Sequence, residues 1–169
     1  LSLRRQRQMC IRDRLNIEII STGGTARLLQ ENNISVIQVS DYTGHPEMMS
    51  GRIKTLHPKI HGGILGRQED LEELKTLGIG AIDLVIVNLY PFSEVVSDPK
   101  STPSEIIENI DIGGPTMLRA AAKNHAEVTV VTNEDDYKTV INELENYGGT
   151  SASTRLRLAE IAFSHTASY

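Results

Sequence analysis

Three cations and two histidines stand within ten residues of this chain, on a stretch framed by glycine and proline. They are Arg52, Lys54, His57, Lys59 and His61. Positive groups this close together repel one another unless an anion lies among them, so the stretch predicts an anion site. The alternative is ordinary solvated surface charge. The two histidines are four residues apart, but a proline separates them and no third ligand is evident, so we predict no metal site.

A second candidate is the segment Ser21-Thr22-Gly23-Gly24-Thr25, between a predicted strand and a predicted helix. Adjacent glycines permit a tight turn with outward-facing amides, and the start of the following helix carries partial positive charge. The hydroxyl groups add further donors, so the turn favours a phosphate group. The alternative is a structural turn in which a serine or threonine caps the helix.

The third candidate is the segment from Asn88 to Phe92, at the carboxyl end of a predicted buried strand. Ligands of open α/β sheets bind outside the carboxyl ends of the strands. Tyr90 at this place can donate a hydrogen bond or a proton. The alternative is that Tyr90 and Phe92 only cover the end of the sheet.

The fourth candidate is a pair of charged residues on either side of a Gly-Gly-Pro turn. Asp111 precedes the turn, and Lys123 lies near the end of the predicted helix that follows it. An aspartate and a lysine at one site can hold each other charged, and a desolvated lysine can have its pKa lowered into the range for proton transfer. The alternative is a helix-start aspartate and a lysine that interacts with the helix dipole.

Strands that alternate with helices must position these four segments. Short apolar runs predict strands at 17–20, 36–39, 83–88 and 127–132, of which 83–88 is predicted to be buried on both faces of a parallel sheet. Capped or amphipathic stretches predict helices at 26–32, 69–77, 103–109, 116–123, 133–145 and 153–162. The stretch 45–66 is predicted to be a functional loop without regular structure. This alternation predicts an α/β sandwich with a mainly parallel sheet.

The composition predicts one soluble globular domain, since 39% of the residues are hydrophobic and 23% are charged. Cys10 is the single cysteine, which fits a reducing, cytoplasmic compartment, and no apolar run is long enough to cross a membrane. Residues 1–14 hold five arginines and one acid. Without them the net charge of −5 falls to −9, which predicts poor nonspecific binding of nucleic acid.

The basic segment 1–14 differs in character from the rest of the chain. We interpret it as a foreign-looking or disordered leader without a functional role, and residues 15–169 as the domain. A transit peptide and a nucleic-acid-binding arm are the alternatives.

Taken together, the four candidate segments resemble the N-terminal inosine monophosphate (IMP) cyclohydrolase domain of bifunctional purine-biosynthesis proteins. The resembling stretches are STGGTARLL, SDYTGHPEMMSGRIKTLHPKIHGGILGR, VNLYPF and ENIDIGGPTMLRAAAKNH. The resemblance implies the methylglyoxal-synthase-like fold, a three-layer α/β sandwich. Residues 1–14 hold no counterpart of that family's first strand and its Ser-x-Ser-Asp-Lys-Thr loop. We therefore expect a missing or replaced first strand, weak nucleotide binding and low stability.

The resemblance also implies an activity. The domain would be a hydrolase-class enzyme that closes 5-formamidoimidazole-4-carboxamide ribotide to IMP with loss of water, and it would need no cofactor. In the family, a C-terminal transferase domain formylates aminoimidazole carboxamide ribotide with 10-formyltetrahydrofolate, and we expect this second domain to be absent from the chain. A small nucleotide is the expected ligand, and a homodimer is the expected assembly.

Matched motif by motif, the resemblance implies a catalytic set of four residues. Asp111 would accept a hydrogen bond from the carboxamide, and Lys123 would exchange its proton. Lys54 and Tyr90 would stabilise the oxyanion and assist the departure of water. The implied nucleotide contacts are Thr22, Gly23, Gly24, Thr25, Arg52, Thr55, Asn88, Ile112 and Gly113.

Two other function classes share the implied fold. A noncatalytic nucleotide-sensing domain, as in carbamoyl phosphate synthetases, would not need the four catalytic residues. Methylglyoxal synthase acts on a triose phosphate with carboxylate bases, and the stretch KTLHPKIHGG disfavours it. The fold alone does not separate these classes, so the site residues must.

Overall fold

The structure, a computed structural model, describes residues 17–169. The predicted leader, residues 1–14, and the predicted replacement of the first strand lie outside the described residues. The first described unit is a parallel pair of short strands, β1 (Ile20–Ser21) and β2 (Ile37–Gln38), with Ile20 opposite Ile37. Helix α1 (Gly23–Glu31) connects the two strands.

A second parallel pair joins β3 (Leu84–Ile86) to β4 (Thr129–Val131), with Val85 opposite Val130. All three residues of β4 are buried, as expected for a β-branched run in the interior of a sheet. Burial of β3 on both faces was predicted, and this is wrong: Val85 is buried, but Ile86 is 50% exposed. Three of the predicted strands are confirmed in place but are shorter than expected, whereas β1 shares only Ile20 with the predicted strand 17–20.

The described residues contain further helices in chain order. They are α2 (Val39–Thr43), α3 (Pro58–Leu65), α4 (Leu71–Thr76), α5 (Phe92–Ser97), α6 (Pro103–Glu108), α7 (Gly113–Lys123), α8 (Tyr137–Tyr147) and α9 (Ala152–Ser168). Short 3-10 turns lie at Met49–Gly51, Gln68–Asp70 and Glu134–Asp136. Strands that alternate with helices and pair in parallel confirm the predicted α/β class. No helix within residues 17–169 has the length and apolar character to span a membrane.

The core is built around α7, which packs against α9 and α3 and borders both strands of the second sheet. Leu118 and Ala121 are completely buried, and Leu158 of α9 is only 1% exposed. Alanines at the contact let helices approach closely, and this fixes the position of α7. The start of α7 carries the predicted Asp111 segment, so the core holds that segment in place.

Helix α3 corrects the prediction that residues 45–66 have no regular structure. The ring of His57 caps its start by accepting a hydrogen bond from the N–H of Lys59, and proline occupies its first turn, where no amide hydrogen is needed. Ile60 and Ile64, four residues apart, bury one face. A Cβ on Gly63 would lie 2.6 Å from the carbonyl oxygen of Gly80, so this glycine permits close packing.

Other boundaries also differ from the predictions. The last helix begins after Ser151, whose hydroxyl accepts the N–H of Thr154, and not after Ser153; it continues to Ser168 rather than ending near 162. Helices α2 and α5 were not predicted. Helix α7 begins at Gly113, three residues before the predicted start. Asp111 and Lys123 therefore stand at opposite ends of one continuous helix.

Candidate active site

The segment after β1 forms the start of α1 and leaves its backbone amides open. Thr22 is extended (φ −144°), and its side chain does not cap the helix. Gly23 has φ +59°, a conformation that favours glycine. Among residues 17–169 the N–H groups of Gly23, Gly24 and Thr25 have no acceptor, and all three residues are exposed. The helix start is therefore free to receive an anionic group.

The ammonium group of Lys54 lies beside this helix start. Its Nζ would be 3.4 Å from a Cβ built on Gly23, and the lysine side chain is only 26% exposed. Gly51, at φ +87°, makes room for it, because a Cβ there would lie 2.6 Å from Cε of Lys54. We call Thr22, Gly23 and Lys54 the anion cradle.

A glutamate that sequence reasoning missed already contacts this cradle. The hydroxyl of Thr22 donates to Oε1 of Glu47 at 2.5 Å, and Oε2 of Glu47 lies 3.9 Å from Nζ of Lys54. The residue stands inside one of the resembling stretches, so its presence near the site could have been noticed. Its contact with Thr22, 25 positions away, had no signal in the sequence.

The segment that carries Arg52, Lys54 and Thr55 also lies beside the start of α7. The hydroxyl oxygen of Thr55 would lie 2.9 Å from a Cβ on Gly113, so the two residues nearly touch. Arg52 is exposed, and its Nε lies 3.5 Å from Oε2 of Glu108 in α6. The structure thus brings the predicted contacts Thr55 and Gly113 together, whereas Arg52 faces solvent and α6.

Asp111 is held at the start of α7 by a network of hydrogen bonds. Its Oδ1 accepts the N–H of Gly114 at 2.8 Å. Its own N–H donates to the hydroxyl of Tyr169 at 3.0 Å, and that hydroxyl donates to the carbonyl of Asn109 at 3.1 Å. Sequence reasoning also missed Tyr169, which is nearly sixty positions away. Within residues 17–169, Oδ2 of Asp111 accepts no hydrogen bond, so it remains available to a ligand.

The segment after β3 packs against the Asp111 segment. A Cβ on Gly114 would lie 2.7 Å from Cδ2 of Leu89, and the ring of Phe92 lies 6.1 Å from that of Tyr169. Asn88 is exposed and Tyr90 is 49% exposed. The neighbours of Tyr90 in the chain, Leu89 and Phe92, thus place its segment beside that of Asp111.

Lys123 does not join the other predicted catalytic residues. It is exposed in the last turn of α7, whereas Asp111 stands before the first turn. At 1.5 Å per residue, the Cα atoms of Gly113 and Lys123 are about 15 Å apart along the helix axis. A lysine side chain does not bridge this distance, so Asp111 and Lys123 of one chain do not meet. Ile112 is 58% exposed beside Gly113.

No metal-binding arrangement lies in the described part of the chain. Within residues 17–169, no group of three or more His, Cys, Asp or Glu side chains could hold a metal ion. The rings of His45 and His57 are 5.9 Å apart, and Nε2 of His61 is buried without a hydrogen-bond partner among these residues. The ring of His57 instead caps the start of α3.

The model of the MGS-like domain family matches residues 12–116, more than half of the chain. The chain belongs to the MGS-like domain family. This confirms the predicted methylglyoxal-synthase-like α/β fold. A second model, described as AICARFT/IMPCHase bienzyme, matches residues 121–169. The two matches support the family that the motifs of this MGS-like domain resemble.

A solved structure gives the same result for the fold. The chain is similar to the crystal structure of ForH, with a TM-score of 0.84 and 39% sequence identity. The similarity covers 95% of this chain and 84% of that chain. It therefore spans both the part matched as an MGS-like domain and the part matched by the bienzyme model.

Proposed function

We propose that this MGS-like domain is an IMP cyclohydrolase, which closes 5-formamidoimidazole-4-carboxamide ribotide to IMP with loss of water, and that it belongs to a bifunctional enzyme of purine biosynthesis. The observation that carries the proposal is that segments far apart in the sequence meet. Lys54 adjoins Gly23, Thr55 adjoins Gly113, and the segment of Tyr90 packs against that of Asp111. The Gly23 and Tyr90 segments follow β1 and β3, and ligands of open α/β sheets bind beyond the carboxyl ends of strands.

The anion cradle suits the phosphate of a ribotide. The unpaired amides at the start of α1 and the ammonium of Lys54 offer hydrogen bonds and positive charge on one side. Thr55 and Gly113 continue the surface toward Asp111. A nucleotide anchored by its phosphate would therefore extend its base toward the Asp111 and Tyr90 segments.

The chemistry needs a proton acceptor and a stabiliser of negative charge. The carboxamide nitrogen attacks the formyl carbon and a C–N bond forms. The C–O bond then breaks, and the formyl oxygen leaves as water with one proton from the carboxamide nitrogen and one from the formamido nitrogen. Oδ2 of Asp111 is open to accept a hydrogen bond from the carboxamide, while Tyr90 can donate to the formyl oxygen. Both reacting groups belong to one bound molecule, so proximity is supplied by binding and no cofactor is required.

Lys123 fits this proposal only if a second chain is present. Its distance of about 15 Å from the start of its own α7 keeps it from Asp111 of the same chain. We therefore propose a homodimer in which Lys123 acts at the site of the other copy. Mixing Asp111→Asn with Lys123→Ala protein would create dimers with one intact site, so activity should reappear. A mixture that exchanges subunits and stays inactive would exclude this role for Lys123.

Ring closure of the purified protein is the direct test. Lys54→Met, Tyr90→Phe and Asp111→Asn should each lower kcat by about a hundredfold or more, because acid, base and oxyanion groups contribute roughly 10²–10⁴-fold. Lys100→Met, an exposed lysine outside the site, is the matched control and should leave the rate unchanged. No turnover in the unaltered protein would refute the proposal.

A noncatalytic nucleotide sensor is the second candidate, favoured by the separation of Lys123 from Asp111. A sensor requires the anion cradle but not a proton shuttle. Calorimetric binding of IMP without measurable ring closure, in a protein whose dimer is intact, would favour the sensor over the enzyme.

A further inference from the structure

One carboxylate already lies where the proposed phosphate would bind. Glu47 accepts a hydrogen bond from the hydroxyl of Thr22 at 2.5 Å, and its other oxygen is 3.9 Å from the ammonium of Lys54. The first contact is short, as expected for a bond to an ionised acceptor. The second is too long for a hydrogen bond but close enough for attraction between the charges. Glu47 thus uses two of the groups that an anionic ligand would need.

The segment that carries Glu47 is held by few contacts. All residues from 44 to 50 are exposed, and the side chain of Glu47 is 41% exposed. Met49 and Ser50 adopt φ angles of +51° and +56°, which non-glycine residues rarely adopt. At its start the backbone is tied to the end of α2 through Gly44 and His45, and farther along it is tied by the bridge between Met48 and Ile53. The side chain of Glu47 therefore reaches solvent on one side while it contacts the cradle on the other.

We infer that Glu47 is an internal counter-anion of the anion cradle, which an incoming phosphate group must displace. The inference rests on the proposed binding of a phosphate at this cradle. A phosphate and the carboxylate cannot share Thr22 and Lys54, because the two negative charges would then stand within a few ångströms of each other. Glu47 therefore weakens anion binding and favours ligands with enough negative charge to compete.

The experiment is the binding of inorganic phosphate, measured by calorimetry at fixed ionic strength on the whole chain. Glu47→Ala should bind phosphate about tenfold more tightly than the unaltered protein, since a hydrogen bond to a charged group is typically worth that factor. Glu47→Gln keeps an acceptor for Thr22 but removes the charge. Its affinity for phosphate should lie between those of Glu47→Ala and the unaltered protein. Circular dichroism and the melting temperature check that both variants remain folded.

Two control variants separate a local effect from a general one. Glu31→Ala removes the same charge from an exposed position at the other end of α1, about 12 Å from Gly23, and should bind phosphate as the unaltered protein does. Adding Lys54→Met to Glu47→Ala should abolish the gain, because the freed ammonium is what the phosphate would use.

Each outcome bears on the inference. If folded Glu47→Ala binds phosphate no more tightly than the unaltered protein, or neither binds it, the inference is overturned. An equal gain in Glu31→Ala would overturn it as well, since the effect would then be overall charge. Phosphate binding does not depend on turnover. A tenfold gain in a protein that performs no ring closure would support the counter-anion and refute only the proposed activity.

Discussion

The hydroxyl of Tyr169 offers the sharpest test of how the Asp111 segment is held. It accepts the N–H of Asp111 at 3.0 Å and donates to the carbonyl of Asn109 at 3.1 Å, while its ring lies against Phe92. Tyr169→Phe keeps the ring and removes both hydrogen bonds. The change therefore isolates the hydroxyl from the packing of the side chain.

The loss of stability follows from two backbone groups that would lose their partner, the N–H of Asp111 and the carbonyl of Asn109. An unsatisfied buried polar group costs about 1–3 kcal/mol. These groups are only partly buried, and water can replace some of the lost bonding, so we expect a loss of about 2 kcal/mol in the free energy of unfolding. For a domain of this size, 1 kcal/mol corresponds to about 2–4 °C. The melting temperature should fall by about 4–8 °C.

The same change should separate catalysis from binding. Asp111 would lose one of the contacts that fix its backbone, and small displacements of a reacting group can lower rates strongly. If Asp111 acts as proposed, kcat for the proposed ring closure should therefore fall at least about tenfold. The affinity for inorganic phosphate should not change, because Tyr169 touches no part of the anion cradle. Tyr147→Phe, at a residue 81% exposed, is the matched control. It should leave the melting temperature, kcat and the affinity for phosphate unchanged. A Tyr169→Phe protein with unchanged stability and rate would refute this account of the segment.

Three further predictions concern stability and are checked by thermal or denaturant unfolding. Gly114→Ala should destabilise by about 1–3 kcal/mol, because its Cβ would lie 2.5 Å from a carboxylate oxygen, whereas Gly24→Ala, with open space around it, should be neutral or stabilising. Asn124→Ala should cost about 2–4 kcal/mol, since its buried amide donates to two carbonyls at the end of α3. A threonine hydroxyl and a serine N–H in α9 and at its cap lower the pKa of Glu143. A lowered folded-state pKa adds stability that is present above the unfolded-state pKa and lost as the pH falls. Glu143→Gln should therefore lower the melting temperature near pH 7, and the difference should narrow below about pH 4.

The fold was predictable where local sequence and burial agree. The run that ends at Val131 is β-branched and lies entirely in the core, so pattern and structure coincide. At α3 the local sequence disagrees with the structure, because Gly62 and Gly63 lower helix propensity. The helix forms nonetheless, since Ile60 and Ile64 are buried and Gly63 must lie close to a neighbouring carbonyl. That neighbour is a tertiary contact, which periodicity alone does not contain.

The sequence predicted the residue types of the site better than the long-range contacts between them. The open turn at Thr22 and Gly23 follows from adjacent glycines before a helix, a local property. The contacts that Glu47 and Tyr169 make join segments 25 and about 60 positions apart. No spacing rule relates such positions, so these two residues became candidates only through the structure.

The distance between Asp111 and Lys123 shows how one helix boundary changes a functional argument. Proline lacks an amide hydrogen, and the first turn of a helix does not need one, so the Gly-Gly-Pro turn is part of α7 rather than its prelude. Residues 113–123 therefore form one continuous helix of about three turns, whose rise of 1.5 Å per residue holds its two ends about 15 Å apart. Because α7 is packed in the core against α9 and α3, it cannot bend to bring its two ends together. A catalytic role for both residues at one site therefore requires two chains, whereas the contact of Thr55 with Gly113 brings the Lys54 and Asp111 segments together within one chain.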